Sequence, residues 1–178
     1  MTMHPDYRGL LDGVVAACRE HYGERLHGIA LYGSVARGTP TADSDVDLLV
    51  VADGLPEGFL PKRRDFDAVE DAVAPQIDAL WKAGRHVRLS PILKTRAVLE
   101  YGTPLLLDMT EDARILYERD GYLTHVLECL RRTLSQLGAR RVWRDELWYW
   151  DLKPDYRWGD VIELFPTGWL GARSVRSR

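Results

Sequence analysis

The chain is poor in several residues and patterns that mark particular classes of protein. Only two cysteines, Cys18 and Cys129, occur among its 178 residues, which is too few for a disulfide framework or a zinc cluster. No apolar run approaches the roughly 18 residues of a membrane-spanning helix, and the first residues lack the basic and then apolar pattern of a signal peptide. These absences favour a cytoplasmic protein without a membrane span, whose cysteines are small buried hydrophobic residues.

Positive charge is not in excess. The 27 acidic residues outnumber the 24 basic residues and give a net charge of −3, which excludes a generally basic coat for nucleic acid but not a local basic patch. Hydrophobic residues make up 46% and charged residues 29% of the chain, as in globular proteins. The length suits one domain, or one domain with a small appendage.

Hydrophobic periodicity predicts a mixture of helices and strands. Apolar residues at helical spacing predict helices over 7–22, 66–81 and 123–137. Short apolar runs predict strands over 29–32, 46–51, 86–95 and 115–117. Pro91 cannot donate a ladder hydrogen bond and therefore predicts an edge or a bulge. Thr95 predicts the cap of a short helix, and residues 140–152 predict a hairpin.

Two aspartates stand close together at the start of the second predicted strand. Because residues two apart in a strand point to the same face, Asp45 and Asp47 project together. Neighbouring carboxylates repel one another unless a cation neutralises them. Their hard oxygen atoms suit Mg²⁺, which completes its shell with water and substrate phosphates. The alternative is a solvated strand end that binds no ion.

The turn after the first predicted strand has the features of a phosphate-binding site. Gly33 has no side chain, so a ligand can approach the backbone. A helix that begins at Ser34 presents free N–H groups, which favour phosphate oxygens. The Ser34 hydroxyl adds a donor, and Arg37, one helical turn later, is placed to meet another phosphate oxygen. The alternative is an ordinary turn between a strand and a helix.

The two halves form one pattern. Ten residues separate Ser34 from Asp45, so adjacent strands would bring a phosphate cradle and a carboxylate pair to one pocket, as phosphoryl or nucleotidyl transfer by metal ions requires. The pattern Gly33-Ser34, ten residues, Asp45-x-Asp47 matches the signature of the polymerase β-like nucleotidyltransferases. The string GSVARGTPTADSDVDLLV resembles their small bacterial and archaeal members, called minimal nucleotidyltransferases. The resemblance covers residues 10–118.

This resemblance implies an α/β (α+β) fold with a small mixed β-sheet and helices packed on one face. It implies transfer of a nucleoside monophosphate from a nucleoside triphosphate such as ATP to a hydroxyl acceptor, with Mg²⁺ as cofactor. Asp45 and Asp47 would ligate Mg²⁺ and act in catalysis, and Gly33 and Ser34 would hold the triphosphate. Ser44, which directly precedes Asp45, is also predicted to bind nucleotide.

The predicted domain organisation follows from the extent of the resemblance. Residues 1–118 are predicted to form the nucleotidyltransferase-like domain, and residues 119–165 a C-terminal extension made of a helix and a β-hairpin. Residues 166–178 are predicted to form a flexible tail.

One residue that the family leads us to expect is missing. Active members usually have a third carboxylate on the next strand, where it ligates the catalytic metal ion, whereas residues 86–92 read HVRLSPI. Because Arg88 and Ser90 share one face of this strand, we expect that face to look onto the active site. Other acids are available, but none matches the motif position: Glu100, Asp108 and Asp151.

Basic and aromatic residues near the C-terminus allow two interpretations. Five arginines and three tryptophans lie close together in the sequence: Arg131, Arg132, Arg140, Arg141, Arg144, Trp143, Trp148 and Trp150. They predict either a strip for single-stranded RNA or a solvated helix end with an aromatic hairpin core. The negative net charge favours the second interpretation. Lys153 is predicted either to reach a phosphate of the nucleotide or to be a plain exposed lysine.

Two functions of different classes fit the sequence. The first is an Mg²⁺-dependent nucleotidyltransferase whose acceptor is a protein, an RNA or a small molecule, and some minimal members modify a helical partner protein as antitoxins. The second is a catalytically weak or inactive nucleotide-binding module that acts through a protein partner, which the missing third carboxylate favours. Asp45 and Asp47 favour the first function, because an inactive module need not keep two repelling charges. The sequence does not determine the base, the acceptor or the oligomeric state.

Overall fold

A mixed β-sheet lies at the centre of the protein. The computed structural model describes residues 5–144 and 147–171, and within them four strands form this sheet: β1 (Leu26–Tyr32), β2 (Val46–Ala52), β3 (Leu89–Lys94) and β4 (Arg114–Glu118). Their order is β3-β2-β1-β4, in which β2 and β3 are parallel and the other neighbours are antiparallel. β3 is therefore an edge strand, as Pro91 predicts.

Helices cover both faces of the sheet. The helices are α1 (Arg8–Tyr22), α2 (Gly33–Arg37), α3 (Phe59–Ala72), α4 (Ala74–Lys82), α5 (Arg96–Tyr101), α6 (Leu105–Asp112) and α7 (Tyr122–Leu137). Residues of α1, α3 and α4 share one apolar cluster with Leu31 and Leu48, whereas α5, α6 and α7 share the other with Ala30 and Leu49. The predicted fold class is confirmed. Helices are not confined to one face, because β1 and β2 are apolar on both sides and both sides need cover.

The prediction of one long helix over 66–81 is wrong. The chain instead forms α3 and α4, separated at Val73, whose φ of −105° and ψ of 6° leave the helical range. Pro75 occupies the first turn of α4, and a proline there has no N–H group to continue the hydrogen-bond ladder of α3. The strand predicted over 86–95 is shorter, since it begins at Leu89. Thr95 caps α5 as predicted, accepting a hydrogen bond from the Val98 N–H at 3.4 Å.

The C-terminal extension packs on the rest of the chain. Residues of α7 share an apolar cluster with the sheet, and the predicted hairpin is confirmed as β5 (Arg140–Arg144) and β6 (Leu147–Asp151). The start of the predicted flexible tail instead contacts the rest of the chain. The Trp169 indole donates to the Glu100 carbonyl at 2.8 Å, and the Leu170 carbonyl lies 2.7 Å from the His125 ring. Residues 172–178 lie outside the described residues. The boundaries at 118 and 165 stay predictions.

Two expectations from composition can be compared with the structure. Cys18 and Cys129 are both buried and unpaired, as predicted, and burial raises the pKa of the Cys18 thiol to about 12. Over residues 5–144 and 147–171, no helix combines the length and the apolar character needed to cross a membrane.

Candidate active site

The end of β1 forms a turn that requires glycine. α2 begins at Gly33, whose φ of +73° lies in the left-handed region. Tyr32 pairs with Asp47 across the β1–β2 ladder, and a Cβ atom on Gly33 would collide with the Asp47 carboxylate. The absence of a side chain therefore lets the start of α2 and the Asp47 carboxylate lie against each other. The predicted phosphate cradle and the predicted carboxylate pair meet at this place.

The two aspartates interact electrostatically, as residues on one strand face should. Asp45 directly precedes β2, and Asp47 is its second residue. The pKa of Asp47 is raised, first because the carboxyl is half-buried and further because the Asp45 charge repels its ionised form. A hydrogen bond from the Ser90 side chain and the charge of Arg37 act in the opposite direction. A bound cation would remove much of the cost of ionising this pair.

β3 and the residue before it bring two further polar groups to the pair. Ser90 lies beside Asp47 in the parallel ladder, and the Arg88 Nε donates to the Asp45 Oδ1 at 3.2 Å. Leu89 points the other way, into the apolar cluster beneath α1 and α3. The expectation that Arg88 and Ser90 face the carboxylates is therefore confirmed.

A third carboxylate does not join the pair among the residues that the structure describes. These residues contain no group of three or more histidine, cysteine, aspartate or glutamate side chains placed to hold a metal ion. The three other candidates have partners of their own: Asp108 accepts two indole N–H groups, Asp151 pairs with Arg140, and Glu100 pairs with Arg96. The Ser90 hydroxyl thus occupies the side of Asp47 where the family pattern leads us to expect an acid.

Asp112 of α6 and Trp148 of the C-terminal hairpin together hold the Arg37 guanidinium. The Arg37 Nη1 lies 3.6 Å from the Asp112 Oδ2, and its guanidinium carbon lies 5.1 Å from the centre of the Trp148 ring. Asp112 also accepts two hydrogen bonds from Arg141, at 2.7 Å and 3.3 Å. Arg141 in turn lies over the Trp148 ring at 5.5 Å. We call Arg37, Asp112, Arg141 and Trp148 the arginine clamp.

The clamp was not predicted, although the alternation of residues in the hairpin sequence is a signal for part of it. In the hairpin, Arg141 pairs with Trp150 and Trp143 pairs with Trp148. Residues two apart on each strand, and residues paired across strands, share a face, so these four side chains lie on one side of the hairpin. That side meets α6, where both Trp148 and Trp150 donate to the Asp108 Oδ1 at 3.0 Å.

The contacts of the basic cluster favour a solvated helix end with an aromatic hairpin over an RNA strip, although the Trp143 ring is exposed rather than in a core. Four of the five arginines bind groups of this chain: Arg131 donates to the Thr110 carbonyl, Arg132 to the Cys129 Sγ, Arg140 to Asp151 and Arg141 to Asp112. Arg140 and Arg141 are paired with acids in this way, which leaves less free positive charge for a nucleic acid.

Of the three remaining predicted site residues, Ser34 and Ser44 lie in the segment between β1 and β2, whereas Lys153 lies elsewhere. Ser34 lies half-buried in the first turn of α2, beside Gly33. Ser44 shapes the loop before β2, since its hydroxyl accepts the Thr41 N–H at 2.8 Å. Lys153 is not brought to this site by its contacts, because its ammonium group pairs with Asp160 at 2.9 Å beyond the end of the hairpin.

The sequence matches the profile of the nucleotidyltransferase domain over residues 11–117. This stretch contains β1, β2 and β3 together with Gly33, Ser34, Asp45 and Asp47. The chain belongs to the nucleotidyltransferase family. In this nucleotidyltransferase, half of the arginine clamp lies outside the matched stretch, because Arg141 and Trp148 are contributed by the hairpin. The clamp thus joins the family domain to the C-terminal extension.

Individual proteins are also similar to this nucleotidyltransferase. It is 29% identical over 141 residues to MJ1305, a proposed protein adenylyltransferase of Methanocaldococcus jannaschii, and the match covers 78% of this chain and 90% of that protein. A crystal structure of a toxin–antitoxin with AMP-PNP shares 16% identity at a TM-score of 0.41, and a mutant of the toxin–antitoxin MntA-HpeT shares 14% at 0.41. Each covers 72% of this chain and 92% of its own. The family assignment rests on the sequence matches.

The donor set of the site fits a divalent cation, which nucleotidyltransferases use together with a nucleoside triphosphate. Two carboxylates and the Ser90 hydroxyl offer hard oxygen ligands on one face of the sheet. Arg88 balances one of these charges by its hydrogen bond to Asp45, but both side chains are largely open to solvent, at 75% and 41% exposure. An exposed pair of this kind is weak, so the guanidinium can leave when a cation binds.

Proposed function

We propose that this nucleotidyltransferase moves adenosine monophosphate from the Mg²⁺ complex of ATP to a hydroxyl group of a protein. The observation that carries the proposal is the half-buried Asp47 carboxylate, which lies against Gly33 and shares its strand face with Asp45. The preference for adenine and for a protein acceptor is supported by the relative MJ1305, which the match covers over 90% of its length. An antitoxin that modifies its partner protein would be one case of this activity.

The residues of the site divide the work of binding. Asp45 and Asp47 would hold Mg²⁺, which when bound supplies positive charge against the triphosphate and the leaving pyrophosphate. The backbone at Gly33 and the hydroxyl of Ser34 would position the phosphates, and the clamped Arg37 would add a fixed positive charge beside them.

The transfer itself exchanges a phosphoanhydride bond of ATP for a phosphodiester bond to the acceptor. The acceptor oxygen forms a bond to the α-phosphorus, the bond from that phosphorus to the β-phosphate oxygen breaks, and pyrophosphate leaves with the electron pair. The proton of the acceptor hydroxyl passes to solvent. Positioning both reactants in line is the main contribution that the protein makes to such a step.

A second function is favoured by one specific observation. Among the described residues the carboxylate pair has no third acid, and Arg88 already neutralises Asp45. A protein built in this way can bind ATP and signal through a partner without transferring any group. Binding without transfer is the result that separates this function from the first.

The test uses nucleoside triphosphates labelled on the α-phosphate, one base at a time, with Mg²⁺ and a protein extract. We expect wild-type protein to transfer label from ATP to a protein band that protease removes and ribonuclease does not. The double substitution Asp45→Asn and Asp47→Asn should abolish both transfer and Mg²⁺-dependent ATP binding, because it removes both charged ligands.

Asp43→Asn is the matched control. Asp43 lies in the loop before the pair, where it bonds to the His86 ring at 2.9 Å, so its substitution should leave transfer unchanged. ATP binding with no transfer to any acceptor would favour the regulatory module, and label on RNA would contradict the protein acceptor.

A further inference from the structure

A pocket lies along the free edge of the sheet, and its strand lining begins at Pro91, the residue after Ser90. Its volume is about 310 Å³, and it is lined by residues 91–94 of β3 together with Phe59, Lys62 and Arg63 of α3. Consecutive strand residues point to opposite faces, so a pocket that touches four in a row follows the edge of the strand. We call it the edge pocket.

The edge pocket is positively charged. Arg63 is paired with Asp67 at 3.0 Å and also with Glu70. Lys62 and Lys94 form no ion pair with any residue of 5–144 or 147–171 in the structure. The amino end of the 14-residue helix α3, at Phe59, adds the positive end of its dipole. Two lysines without acidic partners therefore favour an anionic ligand.

The edge pocket also has an apolar part. The Phe59 side chain is 78% exposed and lines the pocket together with Pro91 and Ile92. An exposed aromatic ring beside aliphatic side chains favours a partner with carbon surface next to its charge. A protein segment supplies both.

The strand connects this pocket to the reaction centre at a defined distance. Ser90 lies beside Asp47, and Ser90, Ile92 and Lys94 share one strand face. Four residues of extended chain span about 13 Å from Ser90 to Lys94. An acceptor that runs along β3 with its hydroxyl at Asp47 would place a side chain at Lys94 about four residues away.

We propose that the edge pocket binds an acidic side chain of the protein acceptor, about four residues from the hydroxyl that receives the nucleotide. This inference rests on the proposed function. Pro91 is consistent with an acceptor held by its side chains, because proline removes one backbone donor from the strand edge.

The test uses synthetic peptides that contain one tyrosine or serine and one glutamate placed two to six residues away on either side. A matched set has lysine in place of glutamate. With labelled ATP and Mg²⁺, we expect wild-type protein to label the glutamate peptides with a separation near four residues at least fivefold more efficiently than their lysine counterparts. The double substitution Lys62→Glu and Lys94→Glu should remove this preference and leave the KM for ATP unchanged.

Lys82→Glu, at the exposed end of α4, is the charge-matched control and should behave as wild type. The double substitution Lys62→Arg and Lys94→Arg should retain the preference, because it keeps both positive charges. Equal labelling of glutamate and lysine peptides would overturn this inference and leave the proposed function standing. No Asp47-dependent labelling of any peptide would count against the proposed function as well.

Discussion

At the scale of single residues, Asp47 is held in a state that costs the fold stability. Burial and the neighbouring Asp45 raise its pKa, so the folded protein binds the proton more tightly than the unfolded chain does. Stability therefore falls as the pH rises from the ordinary aspartate pKa through the raised value, and it stays reduced above that value. A cation bound between Asp45 and Asp47 would remove much of this loss of stability.

Asp47→Asn should accordingly raise the melting temperature at pH 7 in the absence of divalent metal ions. The gain should shrink toward zero below about pH 4, where the wild-type carboxyl is protonated in both states. Melting curves between about pH 3 and pH 8 check this, with Asp43→Asn as the control. A gain that is the same at every pH would contradict the assigned cause.

Ser90 is the residue at which this chain departs from the family pattern. Its side chain is hydrogen-bonded to Asp47 and lowers the pKa of that carboxyl. Ser90→Asp should lower stability without metal, because it adds a third like charge, and should increase the thermal stabilisation produced by Mg²⁺. Ser90→Asn is the neutral control of similar size. If Mg²⁺ stabilises both variants equally, the new carboxylate does not reach the metal site.

At the scale of elements, the C-terminal hairpin contacts α2 through Arg37. The Trp148 ring covers the Arg37 guanidinium at 5.1 Å, and Asp112 lies on the same group at 3.6 Å. A cation over an exposed aromatic ring gains about 0.5–1 kcal/mol. The hairpin thereby restricts the positions that the Arg37 charge can take.

Trp148→Ala should weaken ATP binding roughly two- to fivefold, which is the equivalent of the stacking energy. Trp148→Phe should keep most of the affinity for ATP, because it keeps an aromatic ring over Arg37. Trp143→Ala is the matched control, since that ring packs on Trp148 at 5.1 Å and on Arg141 at 5.4 Å. Titration calorimetry with ATP and Mg²⁺ measures the difference. Equal effects at both tryptophans would mean that the hairpin stabilises the fold without positioning Arg37.

At the scale of the whole molecule, local patterns predicted local structure well. The period of the apolar residues places α1, α7 and the central strands, and Pro91 marks the edge strand, because burial and hydrogen bonding act there on neighbouring residues. The candidate site was predicted from Gly33-Ser34 and Asp45-x-Asp47, which are close in sequence. The break between α3 and α4 was missed because the apolar period continues across Pro75.

Features made by distant segments escaped the sequence analysis. The arginine clamp joins Arg37 to residues of α6 and the hairpin, more than 70 positions later. Covering the second sheet face with α5 and α6 also depends on where short helices pack. Nothing in the period of either segment fixes such a contact, because it depends on the tertiary arrangement.

The two loops that must close to assemble the site differ in length, and therefore in the chain entropy lost when they close. Fourteen residues lie between Tyr32 and Asp47, whereas 42 lie between Asp47 and Ser90. Closing the longer loop costs about 1 kcal/mol more chain entropy than closing the shorter one. During synthesis the glycine turn and the carboxylate pair also leave the ribosome before β3 does. We therefore expect β1 and β2 to pair first and to bring Gly33 and Asp47 together. β3, which carries Ser90, then adds to this ladder.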